Sequence, residues 1–229
     1  SHRGPSPDLL LTLQQLSTFA KYYIAAYGWP IHAWMNLCKG ACCLPMFCCG
    51  CRALPHGAIK GDCCGLNGAA LLLASGLDPE DVLYASFTNP VFCPSYYIAL
   101  DRDHRTIVLA VRGTLSLTDT VTDMVAETEQ CEIPGLGQFQ AHKGIVLSAR
   151  QILTDLKTHE MLSGAAEEYP DWSITILGHS LGAGSAVLLA LFLRETFGSR
   201  LQCFAYSPPG GLLSPNAVAF GHDFIYSVF

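Results

Sequence analysis

Residues Trp172 to Leu177 have the β-branched, apolar character of a buried strand and run without a break into Gly178-His179-Ser180-Leu181-Gly182, beyond which lies a long apolar stretch of helical composition. A G-x-S-x-G pentapeptide at a strand-to-helix junction is a strong constraint. It fits only folds in which the carboxyl end of a buried strand feeds a helix through a turn too tight for flanking Cβ atoms, which is why the serine stands between glycines. Ser180 is thereby the candidate nucleophile, with Gly178 and Gly182 as the glycines of the elbow. Small residues at Ala183, Gly184, Ser185 and Ala186 suit a helix packed close to its sheet. The first turn of that helix offers backbone N–H groups carrying partial positive charge, which favours an oxyanion formed by attack on an ester carbonyl. Leu181, the residue after the serine, is the first candidate donor.

At 229 residues the chain can bury a large core, and the alternation of strand and helix through its second half predicts an α/β fold with a mostly parallel sheet covered by helices. Half the residues are apolar, 14% are charged and the formal net charge is −6. That acidic balance argues against nucleic acid as a partner, while the low charge fraction suggests apolar surface facing lipid or a further segment. No uninterrupted apolar run approaches the roughly 18 residues of a spanning helix; the longest, Ala186 to Leu193, belongs to the elbow helix. The absence of an initial methionine and of a signal-peptide pattern at Ser1 to Pro5 predicts that the chain is cut from a longer protein. The expected division is an N-terminal helical, cysteine-rich, membrane-proximal segment over residues 1–62 and a hydrolase core over 63–229, incomplete at its C-terminus.

Eight of the eleven cysteines fall between Cys38 and Cys64, several as adjacent pairs. Free thiols, S-acylation of a membrane-facing loop, and a zinc or disulfide cluster remain open readings. The odd total and the lack of paired C-x2-C knuckles weigh against structural zinc, and no metal or cofactor is expected at the site.

Leu9, Leu13, Leu16, Phe19, Ala20, Tyr23 and Tyr27 share a helical face from Asp8 to about Tyr27. That face either packs on the main domain or lies on a membrane surface. Further helices are expected over Leu66 to Ser75, Ser116 to Ala126 and Lys143 to Leu162. Tyr96 to Leu100 and Thr106 to Val111 read as a hairpin, with His104 a solvated turn residue. Strands are expected at Cys203 to Ser207 and Phe224 to Phe229. The strand ending at Val111 leads into Arg112-Gly113-Thr114, where a glycine lets the chain turn before a hydroxyl residue, so Thr114 is the candidate for the second oxyanion donor.

Together, V-R-G-T-L-S at Val111 to Ser116, T-D at Thr122 and Asp123, H-K-G at His142 to Gly144, G-H-S-L-G-A-G at Gly178 to Gly184 and Y-S-P-P-G-G-L-L-S at Tyr206 to Ser214 resemble the class 3 lipases, and among them the sn-1-specific diacylglycerol lipases. Tyr27 to Pro30 and G-D-C-C-G at Gly61 to Gly65 extend the resemblance over nearly the whole chain. It implies an α/β-hydrolase fold, a serine lipase acting on diacylglycerol, an oxyanion N–H at Thr114, and a lid over Leu115 to about Thr122. It also implies membrane association through preceding spanning helices, with the site facing the cytoplasm. Such enzymes place an acid and a histidine after the serine. The candidates here, Glu195, His222 and Asp223, are all expected about 20 Å from Ser180, on helix and strand rises. The triad acid and histidine are therefore expected beyond Phe229, leaving this stretch nearly inactive alone. His179 and His142 are expected to be structural.

Overall fold

A computed structural model describes residues 7–36, 59–62, 65–88, 90, 92–113 and 127–229. Thr114, the expected lid and Ser116 to Ala126 helix, and the cysteines from Cys38 to Cys64 lie outside the described residues. Among the described residues a seven-stranded sheet has the order β1-β2-β3-β4-β7-β8-β9. Its strands are β1 (Ile59–Lys60), β2 (Val82–Ser86), β3 (Tyr96–Asp101), β4 (Thr106–Val111), β7 (Ser173–His179), β8 (Leu201–Tyr206) and β9 (Ile225–Val228). β4, β7, β8 and β9 run parallel, whereas β2, β3 and β4 form an antiparallel meander. β5 (Thr128–Ile133) and β6 (Gly137–His142) make a separate hairpin.

The central strands are buried on both faces, which is why they read as continuous apolar runs. In β4, Ile107, Leu109 and Val111 meet one helical layer while Val108 and Ala110 meet the other. The first layer contains α4 (Lys143–Thr158) and α6 (Leu181–Phe197), packed against each other; α5 (Met161–Glu168) extends it. The single helix expected from Lys143 to Leu162 is thus two. Glu160 takes a left-handed conformation at φ 49, which breaks the α-helical ladder between them. α7 (Pro215–Gly221) precedes β9.

The opposite layer is built by α1 (Pro7–Ala26), α2 (Trp29–Met35) and α3 (Leu66–Ser75). Leu16, Phe19, Tyr22 and Ala26 of α1 are buried in one cluster with Leu177 and Phe204 of the sheet. Burying each large apolar side chain contributes about 2 kcal/mol. Of the two readings left open for this helix, packing on the domain describes its second half, whereas Leu10, Leu11 and Leu13 at its start are exposed. Tyr22, which falls outside the apolar stripe read from spacing, is fully buried because its hydroxyl donates to Asp101 at 2.6 Å. Asp101 also accepts from the His104 backbone N–H and sits 2.8 Å from its imidazole, so His104 is anchored at its turn rather than simply solvated. α1 and β1 both lie N-terminal to residue 62 yet share this core and sheet.

Two of the motifs that carry the resemblance are architectural in this structure. Asp62 accepts from the backbone N–H groups of Asn67 and Gly68, capping the start of α3. Gly28, at φ 69, turns the chain between α1 and α2 where a Cβ would come within 2.3 Å of Asn67 Oδ1. The segment Leu181–Arg200 is apolar and long enough to cross a membrane by length and composition, but 61% of it is buried inside the domain.

Candidate active site

β7 delivers Ser180 to the carboxyl edge of the sheet, where it occupies the N-cap of α6 at φ 55 and ψ −127. A non-glycine residue is rarely found there, and such strain costs about 1–3 kcal/mol. The surrounding backbone holds the turn in place. Ser180 N–H donates to the Tyr206 carbonyl of β8 at 2.9 Å, and the Ser180 carbonyl accepts from Ala183 N–H at 2.9 Å. A Cβ on Gly178 would lie 2.3 Å from the Gly182 carbonyl oxygen, and one on Gly182 would lie 2.6 Å from the Val111 and Arg112 carbonyl oxygens. Both glycines are thus sites of close backbone approach. Leu181 is the first residue of α6, where a backbone N–H has no intrahelical acceptor.

The loop after β4 reaches the same point. Arg112 N–H donates to the Ser95 carbonyl at 2.8 Å, and Gly113 lies so close to the elbow that a Cβ there would be 2.4 Å from the His179 carbonyl oxygen. The Arg112 guanidinium is largely enclosed, which lowers its pKa, and its Nε has no hydrogen-bond partner among the described residues.

His179 is turned to the α1 side. Its Nδ1 is 2.8 Å from the Tyr27 hydroxyl, and its ring stacks on Tyr23 at 5.2 Å between centroids. Burial lowers its pKa, so the imidazole is neutral near pH 7. His142 ends β6 at the head of α4, whose Ile145 packs against Gly184 in the first turn of α6. Both His142 ring nitrogens are buried without a partner among the described residues, a feature that sequence reading did not anticipate.

The acids and histidines that follow Ser180 are placed away from it. Glu195 is exposed on α6, fifteen residues on, about 22 Å at the helical rise. His222 and Asp223 precede β9, with side chains 87% and 90% exposed. In register, Cys203 pairs with Ile225 and Tyr206 with Val228, so β9 begins at the far edge and ends level with the elbow. Ser207 N–H donates to the Val228 carbonyl there.

A mostly parallel sheet carrying a strained serine between β7 and α6 defines an α/β-hydrolase fold. Within that class, residues 108–212 match the family model "Lipase (class 3)". The chain is 37% identical to diacylglycerol lipase-beta of Mus musculus over 211 residues, covering 92% of this chain and 31% of the relative. It is 35% identical to diacylglycerol lipase-alpha of Homo sapiens over 235 residues, covering 96% of this chain and 22% of the relative. The triacylglyceride lipase of Rhizomucor miehei shares the fold at a TM-score of 0.60 and 16% identity, over 97% of this chain and 70% of that one. The class 3 lipase match takes in residues 108–212 of this chain, which spans less than a third of the length of either diacylglycerol lipase.

Proposed function

We propose that this chain is the core of a serine lipase that hydrolyses the sn-1 ester of diacylglycerol to a monoacylglycerol and a fatty acid. The observation that carries the reading is Ser180 held at φ 55 on the strand-to-helix elbow, in a chain with at least 35% identity to diacylglycerol lipases across more than nine-tenths of its length. In this reading Ser180 Oγ attacks the ester carbonyl carbon. Leu181 N–H and Thr114 N–H stabilise the tetrahedral oxyanion, the glycerol oxygen leaves with a proton, and water then hydrolyses the acyl-enzyme. Proton transfer needs an acid and a histidine at the same edge, which Glu195, His222 and Asp223 do not supply from where they lie. The membrane surface is the second partner: exposed Leu10, Leu11 and Leu13 on α1 and Trp34 and Met35 on α2 support that placement. Spanning helices elsewhere in the protein and a cytoplasmic active site complete the proposal.

The test uses the full-length protein with diacylglycerol labelled separately at sn-1 and sn-2. Release from sn-1 alone, lost by about four orders of magnitude or more in Ser180→Ala, is the expected result. Equal release from both positions removes the regiospecific assignment. Faster turnover of triacylglycerol or phospholipid makes it a broader lipase, and activity surviving in Ser180→Ala removes the nucleophile.

A further inference from the structure

We propose that Tyr27 is a positioning residue whose hydroxyl ties the nucleophile strand to the loop after β4, so that the docking of α1 sets the geometry of the active site. The proposal rests on the reading of Ser180 as nucleophile. Tyr27 is only 8% exposed and is the first residue after α1. Its hydroxyl lies 2.8 Å from His179 Nδ1. A Cβ built on Gly113 would come within 2.4 Å of that same hydroxyl, so the phenol oxygen sits where the two backbones meet. His179 immediately precedes the nucleophile, and Gly113 immediately precedes the candidate oxyanion donor. One oxygen therefore touches the segments that carry both halves of the proposed chemistry.

Both partners of this contact are neutral near pH 7. Burial pushes the Tyr27 phenol up to about 12, although Arg112 and the Gly113 amide pull it down. Burial also keeps His179 neutral. In this proposal the neutral phenol donates its O–H to Nδ1 of the neutral imidazole, which leaves the His179 proton on Nε2. Tyr23 stacks on the other side of this imidazole and packs against Tyr206 at 4.6 Å, the residue whose carbonyl receives the Ser180 N–H. The His179 ring is thus held by two tyrosines, one on α1 and one just past its end. Loss of the hydroxyl frees His179 and the loop at Gly113 to separate, and a misplacement near 1 Å costs about a hundredfold in rate.

The control is Tyr97→Phe, which removes another buried hydroxyl at the α1 interface, donated to the Tyr22 carbonyl at 2.9 Å. In the full-length protein, Tyr27→Phe is expected to lower kcat by about 10- to 100-fold with KM within about twofold. The rate of fluorophosphonate labelling at Ser180 should fall in parallel. Tyr97→Phe should lower the melting temperature and leave kcat unchanged. His179→Leu should reproduce the kcat loss, His179→Asn, which keeps an acceptor near the Nδ1 position, should restore most of it, and Tyr27→Phe with His179→Leu should cost no more than the worse single change. Three results overturn the proposal: a Tyr27→Phe kcat equal to that of Tyr97→Phe, a loss confined to KM, or additive losses in the double variant. Labelling that persists in Ser180→Ala instead overturns the functional reading beneath it.

Discussion

Gly182 and Gly184 stand two residues apart on α6, and alanine at each offers a controlled comparison of rigid and yielding surroundings. A Cβ at Gly182 meets the Val111 and Arg112 carbonyl oxygens at 2.6 Å, whereas ordinary contact begins at 3.4 Å, so strand and helix must part by about 0.8 Å. At Gly184 the Cβ meets Ile145 Cδ1 at 2.7 Å and Leu212 Cδ1 at 2.9 Å, both ends of side chains that can rotate. Each substitution removes a glycine from one helix and gains up to about 1 kcal/mol in propensity. Overpacking costs about 1 kcal/mol where side chains yield and about 3 kcal/mol where backbone must move. Gly184→Ala is therefore expected within about 1 kcal/mol of the parent. Gly182→Ala should lose about 2 kcal/mol, or roughly 4–8 °C in melting temperature for a domain of this size. Because the shift falls on the turn carrying Leu181, kcat of the full-length protein should drop by about a hundredfold. Circular dichroism melts and ester hydrolysis on the two variants decide the matter. Equal stability and equal activity would refute the inference that α6 is wedged against the end of β4.

Two further outcomes follow from buried polar groups. The folded pKa of His179 is depressed by burial, so the unfolded chain binds more protons below the ordinary histidine range; stability is full above about 6.5 and falls as pH drops through the lower folded value. Urea midpoints between pH 7 and pH 5 should decline less in His179→Gln than in the parent, and parallel declines would exclude this contribution. Asp155 accepts from the Tyr84 and Tyr96 hydroxyls and lies 3.6 Å from Lys60 Nζ, so Asp155→Leu, by stranding two hydroxyls, should cost about 3 kcal/mol in urea unfolding. Adding Tyr84→Phe and Tyr96→Phe should recover part of that loss, and no recovery would contradict it.

The elbow was legible because it is local: a strand, a tight turn and a helix lie in consecutive residues, and each leaves its own signature. The antiparallel pair β3 and β4 was legible from its β-branched and aromatic runs for the same reason. β5 and β6 carried a signal that went unread. Cys131, Ile133, Phe139 and Ala141 alternate with polar residues around Pro134 and Gly135, the pattern of a hairpin with one buried face. β2, Val82–Ser86, follows directly on a 3-10 turn at Pro79–Asp81, and the turn signal there masked the strand character of Val82 and Tyr84. The Tyr27 contact could not be read at all. Its partner is 152 residues away, and helical periodicity assigns a residue to a face without naming what that face meets.

The Tyr206 hydroxyl donates to the Leu16 carbonyl across 190 residues of sequence. Phe19 likewise meets Phe204, with ring centroids 5.4 Å apart. During synthesis α1 therefore precedes its own docking surface. At about 5–20 residues per second, some 10–40 s separate the appearance of Leu16 from that of Tyr206. Until β8 emerges, Leu16 and Phe19 are only partly covered, although β3 already brings Asp101 and Tyr97 to Tyr22, so α1 is a segment of the nascent chain that gains from a chaperone or a lipid surface. A vector that supplied α1 after the strands, by circular permutation, would shorten that exposure and should raise the yield of folded protein.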